Sequence, residues 1–138
     1  MAGIYLHIPF CKRRCIYCDF FSTTQIEKKS AYVHALCQEL EMRRDYLGEE
    51  EVETIYLGGG TPSQLTHEEL ETIFSYIYKV YRVTPDAEIT LEANPDDLTP
   101  SYIATLRQLP INRISMGIQT FHEDTLKLLN RRHTARQA

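Results

Sequence analysis

Cys11-Lys12-Arg13-Arg14-Cys15-Ile16-Tyr17-Cys18 places three cysteines within eight residues, directly after the apolar run from Gly3 to Pro9. Three thiolates on one short loop can hold one inorganic centre. An iron–sulfur cube is normally held by four cysteines, so three ligands with no obvious fourth leave one iron open to a group that is not protein. A zinc knuckle is the competing possibility, with His7 as fourth ligand of a Cys3His site. A disulfide scheme would have to use Cys37 as the fourth cysteine, and the helical pattern around Cys37 argues against that.

Outward from this loop, the composition is that of an ordinary globular domain, and 138 residues suffice for one core. A net charge of −4 argues against a nonspecific nucleic-acid binder, which would present a basic face. Lys12-Arg13-Arg14 and Arg131-Arg132 read as solvated loops. No apolar run is long enough to span a bilayer and no charged-then-apolar leader is present, so a cytoplasmic location is expected. In a reducing compartment, clustered cysteines indicate metal binding or catalysis, not a disulfide framework.

Four short apolar runs, Gly3 to Ile8, Val52 to Leu57, Glu88 to Glu92 and Asn112 to Ile118, alternate with three stretches of helical period. That alternation predicts an α/β fold with a parallel sheet. In the first helical stretch Val33, Leu36, Cys37 and Leu40 fall at i, i+3, i+4 and i+7, which puts Cys37 on the buried stripe as a small core residue. The second opens with the capping box Thr66-His67-Glu68-Glu69, and the third with Thr99 as cap and Pro100 at the first helical position. Within each strand the parity is uneven: Ile4, Leu6 and Ile8 oppose Tyr5 and His7, and Ile89 and Leu91 oppose Thr90 and Glu92. A sheet covered on both faces should be apolar on both. Helices on one side and a polar interior on the other imply a barrel, of which four strands are about half, since eight take about 250 residues. The chain therefore reads as part of a longer barrel, and Thr134 to Ala138 as the opening of a helix.

In such folds functional groups gather beyond the carboxyl ends of the strands. The cysteine loop, Gly58-Gly59-Gly60-Thr61-Pro62, Glu92-Ala93-Asn94-Pro95 and Gln119 all lie there, with Arg131 a short helix further on. Three glycines admit a ligand to the backbone, or simply make a sharp turn. Glu92 on a polar face suits a ligand or a structural ion pair. His133 reads as a solvated helix-end residue.

The motif C-x3-C-x2-C resembles the cluster loop of the radical S-adenosylmethionine (SAM) superfamily. Tyr5-Leu6-His7-Ile8-Pro9-Phe10-Cys11 and Cys18-Asp19-Phe20 further resemble the oxygen-independent coproporphyrinogen III oxidase family and its heme-chaperone branch. The resemblance, from Tyr5 to about His133, implies the N-terminal part of a radical SAM core over residues 1–138, with the rest of a partial barrel and a C-terminal domain beyond. It implies a [4Fe–4S] cluster on Cys11, Cys15 and Cys18, and SAM held by Tyr5, Tyr17, Gly59, Gly60, Thr61, Glu92, Gln119 and Arg131. Choosing Arg131 over Arg132 rests on register from Gln119. In such proteins SAM chelates the open iron, and an electron from an external donor cleaves its sulfonium to methionine and a 5′-deoxyadenosyl radical. The oxidase carries a further cysteine two residues after the third ligand, where this chain has Phe20, and a long segment before the strand motif, where Tyr5 comes almost at once. Both departures imply the chaperone branch: heme as cargo, delivered to acceptor proteins, with decarboxylation of coproporphyrinogen doubted and the oxidase as the alternative.

Overall fold

A computed structural model describes residues 1–138. In chain order come β1 (Ala2–Ile8), α1 (Lys29–Met42), β2 (Val52–Gly59), α2 (His67–Val80), β3 (Val83–Ala93), α3 (Pro100–Leu106), β4 (Arg113–Met116) and α4 (Glu123–Leu128). The strands form one parallel sheet in the order β1-β2-β3-β4, as the strand–helix alternation predicts.

Register makes the uneven parity physical. Leu6, Leu57, Leu91 and Ile114 stand side by side across the four strands, and the next row back is Tyr5, Tyr56, Thr90 and Arg113. The first row faces helices. Val33, Cys37 and Leu40 of α1 and Leu70, Ile73, Phe74 and Ile77 of α2 join Leu6, Leu57 and Leu91 in a single buried cluster, while Ile114 on the edge strand stays exposed. Burying each large side chain contributes about 1.5–3 kcal/mol. Cys37 sits in this core as a free thiol, and burial pushes its ionisation up. The face of the second row carries hydroxyl, imidazole and carboxylate groups, with Tyr5 bonded to His7 and Tyr56 to Glu92. Its Thr90 is nevertheless only 1% exposed, because Arg113 reaches over it and donates to its hydroxyl at 3.3 Å.

Local chemistry sets the helix starts. Glu69 donates its amide to the Thr66 hydroxyl while its carboxylate accepts from the Thr66 amide at 2.9 Å, closing the capping box of α2. Thr99 accepts from the Tyr102 amide at 3.2 Å ahead of Pro100. At the end of the chain Thr134 and Gln137 bond each other reciprocally around one turn, so the helix opening expected there exists as that turn.

Two strands differ in extent from the sequence pattern. β3 begins at Val83, five residues earlier than expected, because a register shift opposite Val52 and Thr54 absorbs Pro85, which has no amide for the ladder. β4 stops at Met116. The Gly117 amide still reaches the Ala93 carbonyl at 3.1 Å, and the chain then turns away at Gln119, whose φ is 68°.

After β1 the chain leaves the sheet and returns to it. The Thr23 amide donates to the Pro9 carbonyl at 2.7 Å, and the Cys11 amide to the Thr23 carbonyl at 2.9 Å. Residues 11–22 are thereby closed into a loop over the carboxyl end of the sheet.

Candidate functional site

A cavity of about 280 Å³ opens at that end of the sheet. Cys11, Cys15, Cys18, Tyr17, Gly59, Gly60, Thr61, Glu92, Gln119 and Arg131 all line it. Tyr5 does not. Of the residues singled out from the sequence, the fold brings ten to one place and leaves one behind it.

All three loop cysteines are free thiols. Cys11 is the buried one, and Thr61 donates its hydroxyl to the sulfur at 3.3 Å. Burial pushes the Cys11 thiol up, and that hydrogen bond pulls it part of the way back. Cys15 accepts from the Arg131 guanidinium at 3.5 Å, and the Cys18 amide donates to the Cys15 carbonyl at 3.1 Å, closing a turn between these two residues. The loop is held from far along the chain: Asn130 donates its side-chain amide to the Arg14 carbonyl at 2.7 Å, and the Ile16 amide bonds the Leu129 carbonyl at 3.3 Å.

Opposite the thiols stands Glu92, at the end of β3. Tyr56 donates its phenol to one carboxylate oxygen at 2.6 Å, and the Gly59 amide donates to the other at 3.1 Å. The three glycines are required by close packing. A β-carbon on Gly59, where φ is 107°, would lie 2.5 Å from the His7 ring, and one on Gly60 would lie 2.7 Å from the Pro9 backbone. The amides here are used within the protein: Gly60 donates to Ile8 and Thr61 to Phe10, each at 2.8 Å. What this loop can offer a ligand is therefore carbonyl oxygen, which suits an ammonium.

Arg131 and Arg132 are adjacent but face different surroundings. Arg131 points into the cavity, donating to Cys15, to the Tyr17 hydroxyl at 3.4 Å, to Asn94 Oδ1 at 2.9 Å and to the Gly117 carbonyl. Its Nε is buried without a partner. Arg132 is paired with Asp96 and Asp97, each at 2.9 Å. Both arginines line the cavity, and Arg131 is the one whose guanidinium bonds a cysteine sulfur.

His133 corrects the expectation of a solvated side chain. It is 3% exposed and its Nε2 bonds the Ile118 carbonyl at 3.0 Å, which fixes the residue before Gln119. Burial and the nearby Arg131 charge hold its imidazole below the ordinary range.

Tyr5 lies on the polar face, stacked on Tyr56 with ring centroids 6.1 Å apart, and bonds His7 Nδ1 at 3.1 Å. His7 Nε2 bonds the Phe21 carbonyl at 2.8 Å. A carbonyl only accepts, so Nε2 carries the proton and Nδ1 accepts from the Tyr5 phenol. No nitrogen of His7 is left for a metal.

The profile of the radical SAM superfamily matches residues 5–138. The chain belongs to this superfamily. It is 38% identical over 135 residues to the heme chaperone HemW of Bacillus subtilis, covering 96% of this chain and 36% of that protein. Against the heme chaperone HemW of Escherichia coli the identity is 37%, with 99% and 36% covered. Coproporphyrinogen III oxidase (HemN) from E. coli, a radical SAM enzyme, superposes with a TM-score of 0.90 at 31% identity, over 98% of this chain and 32% of that one. The four-stranded sheet is accordingly a partial parallel (β/α) barrel of the radical SAM type. The chain spans about a third of the length of the curated relatives it matches.

The donor set fits a cluster with a chelated organic ligand. Three thiols, a carboxylate and a guanidinium with one buried N–H lacking a partner line the same cavity. Sequence reasoning missed Tyr56 and His133 as parts of this arrangement. Tyr56 had a signal, since it shares the polar parity of Glu92 and pairs in register with Thr90, two residues before it. His133 had none, because its burial depends on the turn at Ile118.

Proposed function

We propose that this chain is the cofactor-binding part of a heme chaperone: the N-terminal part of a radical SAM core in which Cys11, Cys15 and Cys18 hold a [4Fe–4S] cluster and the rest of the cavity lining holds SAM. The observation that carries the proposal is the convergence of those three free thiols with Glu92, Gln119 and Arg131 on one cavity. When bound, the cluster and SAM supply one-electron chemistry at a sulfonium.

The chain's own contribution is binding and orientation. Arg131 offers a planar fork for a ligand carboxylate. Glu92 and the Gly59–Thr61 carbonyls offer acceptors for an ammonium, and Tyr17 offers a ring face for a base. Thr61 and Arg131 each donate to a cysteine sulfur, and hydrogen bonds to the sulfurs favour the reduced, more negative state of a cluster they hold. Heme is the cargo, heme-accepting proteins and an electron donor are the partners, and the cytoplasm is the compartment. No helix is long and apolar enough to cross a membrane.

The similarity to HemN favours a second reading, oxidation of coproporphyrinogen III. Against it stands Phe20, 63% exposed at the cavity rim, which can neither ligate metal nor carry thiol chemistry. The deciding experiment uses full-length protein with reconstituted cluster, SAM and reductant. It is expected to bind heme and pass it to an apo-acceptor, and to leave coproporphyrinogen III unchanged. Conversion to protoporphyrinogen IX would overturn the chaperone assignment and restore the oxidase.

A further inference from the structure

We infer that Tyr56 is a positioning residue for the cavity's ligand, acting through Glu92; this rests on the proposal that Glu92 grips SAM. Tyr56 is not part of the cavity lining. Its phenol donates at 2.6 Å to Glu92 Oε1, and the Gly59 amide donates at 3.1 Å to Oε2. The terminal torsion of a glutamate is broad and roughly two-fold, so a free carboxylate samples many orientations. Two donors arriving from β2 on different oxygens remove that freedom. Each carboxylate oxygen has two lone pairs, so one on each oxygen is spent on the protein and one on each stays available to the ligand.

The phenol is itself held. Its ring stacks on Tyr5 at 6.1 Å with an interplanar angle of 25°, Tyr5 donates to His7 Nδ1, and His7 donates to the Phe21 carbonyl. The relay runs from the end of the cysteine loop, along the polar face, to the carboxylate opposite the thiols. It gives Tyr5 a role through Tyr56. The bond to Glu92 is also the largest influence holding the Tyr56 phenol protonated, so the donor persists throughout the neutral range.

The test is anaerobic titration of SAM into the cluster-loaded full-length protein, followed by the perturbation of the cluster spectrum. Tyr56→Phe should weaken SAM binding roughly tenfold, the size of a lost hydrogen bond to a charged group, with iron content unchanged. Glu92→Gln should weaken it at least as much. The double variant should match Glu92→Gln alone, because the phenol then has no carboxylate to orient, whereas a general structural role would give additive losses. Additivity, or wild-type affinity in Tyr56→Phe, would overturn the inference while Glu92→Gln still reports on the site. Wild-type affinity in Glu92→Gln would instead overturn the placing of SAM. If Tyr56→Phe fails to fold, 3-fluorotyrosine at position 56 keeps the shape and strengthens the donor. It should then tighten SAM binding, and an unchanged affinity would overturn the inference.

Discussion

The two walls of the cavity are built differently. Gly59 to Thr61 and Glu92 continue the sheet: their strands share a ladder, their amides are paired, and Glu92 is fixed by two donors. The facing wall, the cysteine loop with Gln119 and Arg131, hangs on a few bonds between segments more than a hundred residues apart. It also carries a buried polar atom without a partner, Arg131 Nε, whereas Glu92, Tyr56 and Thr61 have none. The sheet wall is complete as protein. The loop wall holds unspent bonding capacity, as expected where a cofactor supplies the missing partners.

Removing a thiol should expose this difference most strongly. Alanine at Cys11, Cys15 or Cys18 is expected to abolish bound iron and the brown colour in anaerobically reconstituted protein. Cys37→Ala should retain both, costing stability only as a small cavity in the core. Loss of iron in Cys37→Ala would break the three-ligand scheme.

Next in size is a contrast between adjacent arginines. Arg132 has 12% of its side chain exposed and faces Asp96 and Asp97, so Arg132→Ala strands buried carboxylates and should cost about 3 kcal/mol of folding stability. Arg131→Ala should leave the fold closer to wild type and weaken SAM binding by about 1–3 kcal/mol, as a lost buried polar partner does. Denaturant unfolding and SAM titration of both variants, side by side, check the pair. An unaltered SAM titration in Arg131→Ala would mean the ligand does not use the loop wall.

The same division shows what could be read without coordinates. Strand parity was legible because alternation is local, and it placed Tyr5, His7, Thr90 and Glu92 on the polar faces of their strands before the register was known. The capping box of α2 and the proline start of α3 were equally local. The extent of β3 was not legible, since a register shift around Pro85 depends on the partner strand. Nor was the position of Tyr5: alternation gives the face, but stacking on Tyr56 sets it behind the cavity. The burial of His133 is longer-range still, created by a turn that exists only because Gln119 adopts a positive φ.

The smallest expected effect concerns that histidine and makes the loop wall the pH-sensitive one. Burial and the Arg131 charge hold the folded imidazole below its ordinary value of about 6.5. Because Nε2 donates to the Ile118 carbonyl, the neutral ring is the form the fold accommodates, and protonation would add a charge beside Arg131. Above the ordinary value neither state takes a proton and nothing is lost. As pH falls through that value the unfolded chain binds the proton first, so stability declines until the folded pKa is passed. His133→Gln can still donate to the carbonyl but cannot titrate. Thermal unfolding of wild type should therefore lose Tm between pH 7.5 and pH 5 relative to the glutamine variant, using about these values as brackets around the ordinary imidazole range. Parallel curves for the two proteins would show that the proton goes elsewhere, and would leave the loop wall with no titrating prop beneath Gln119.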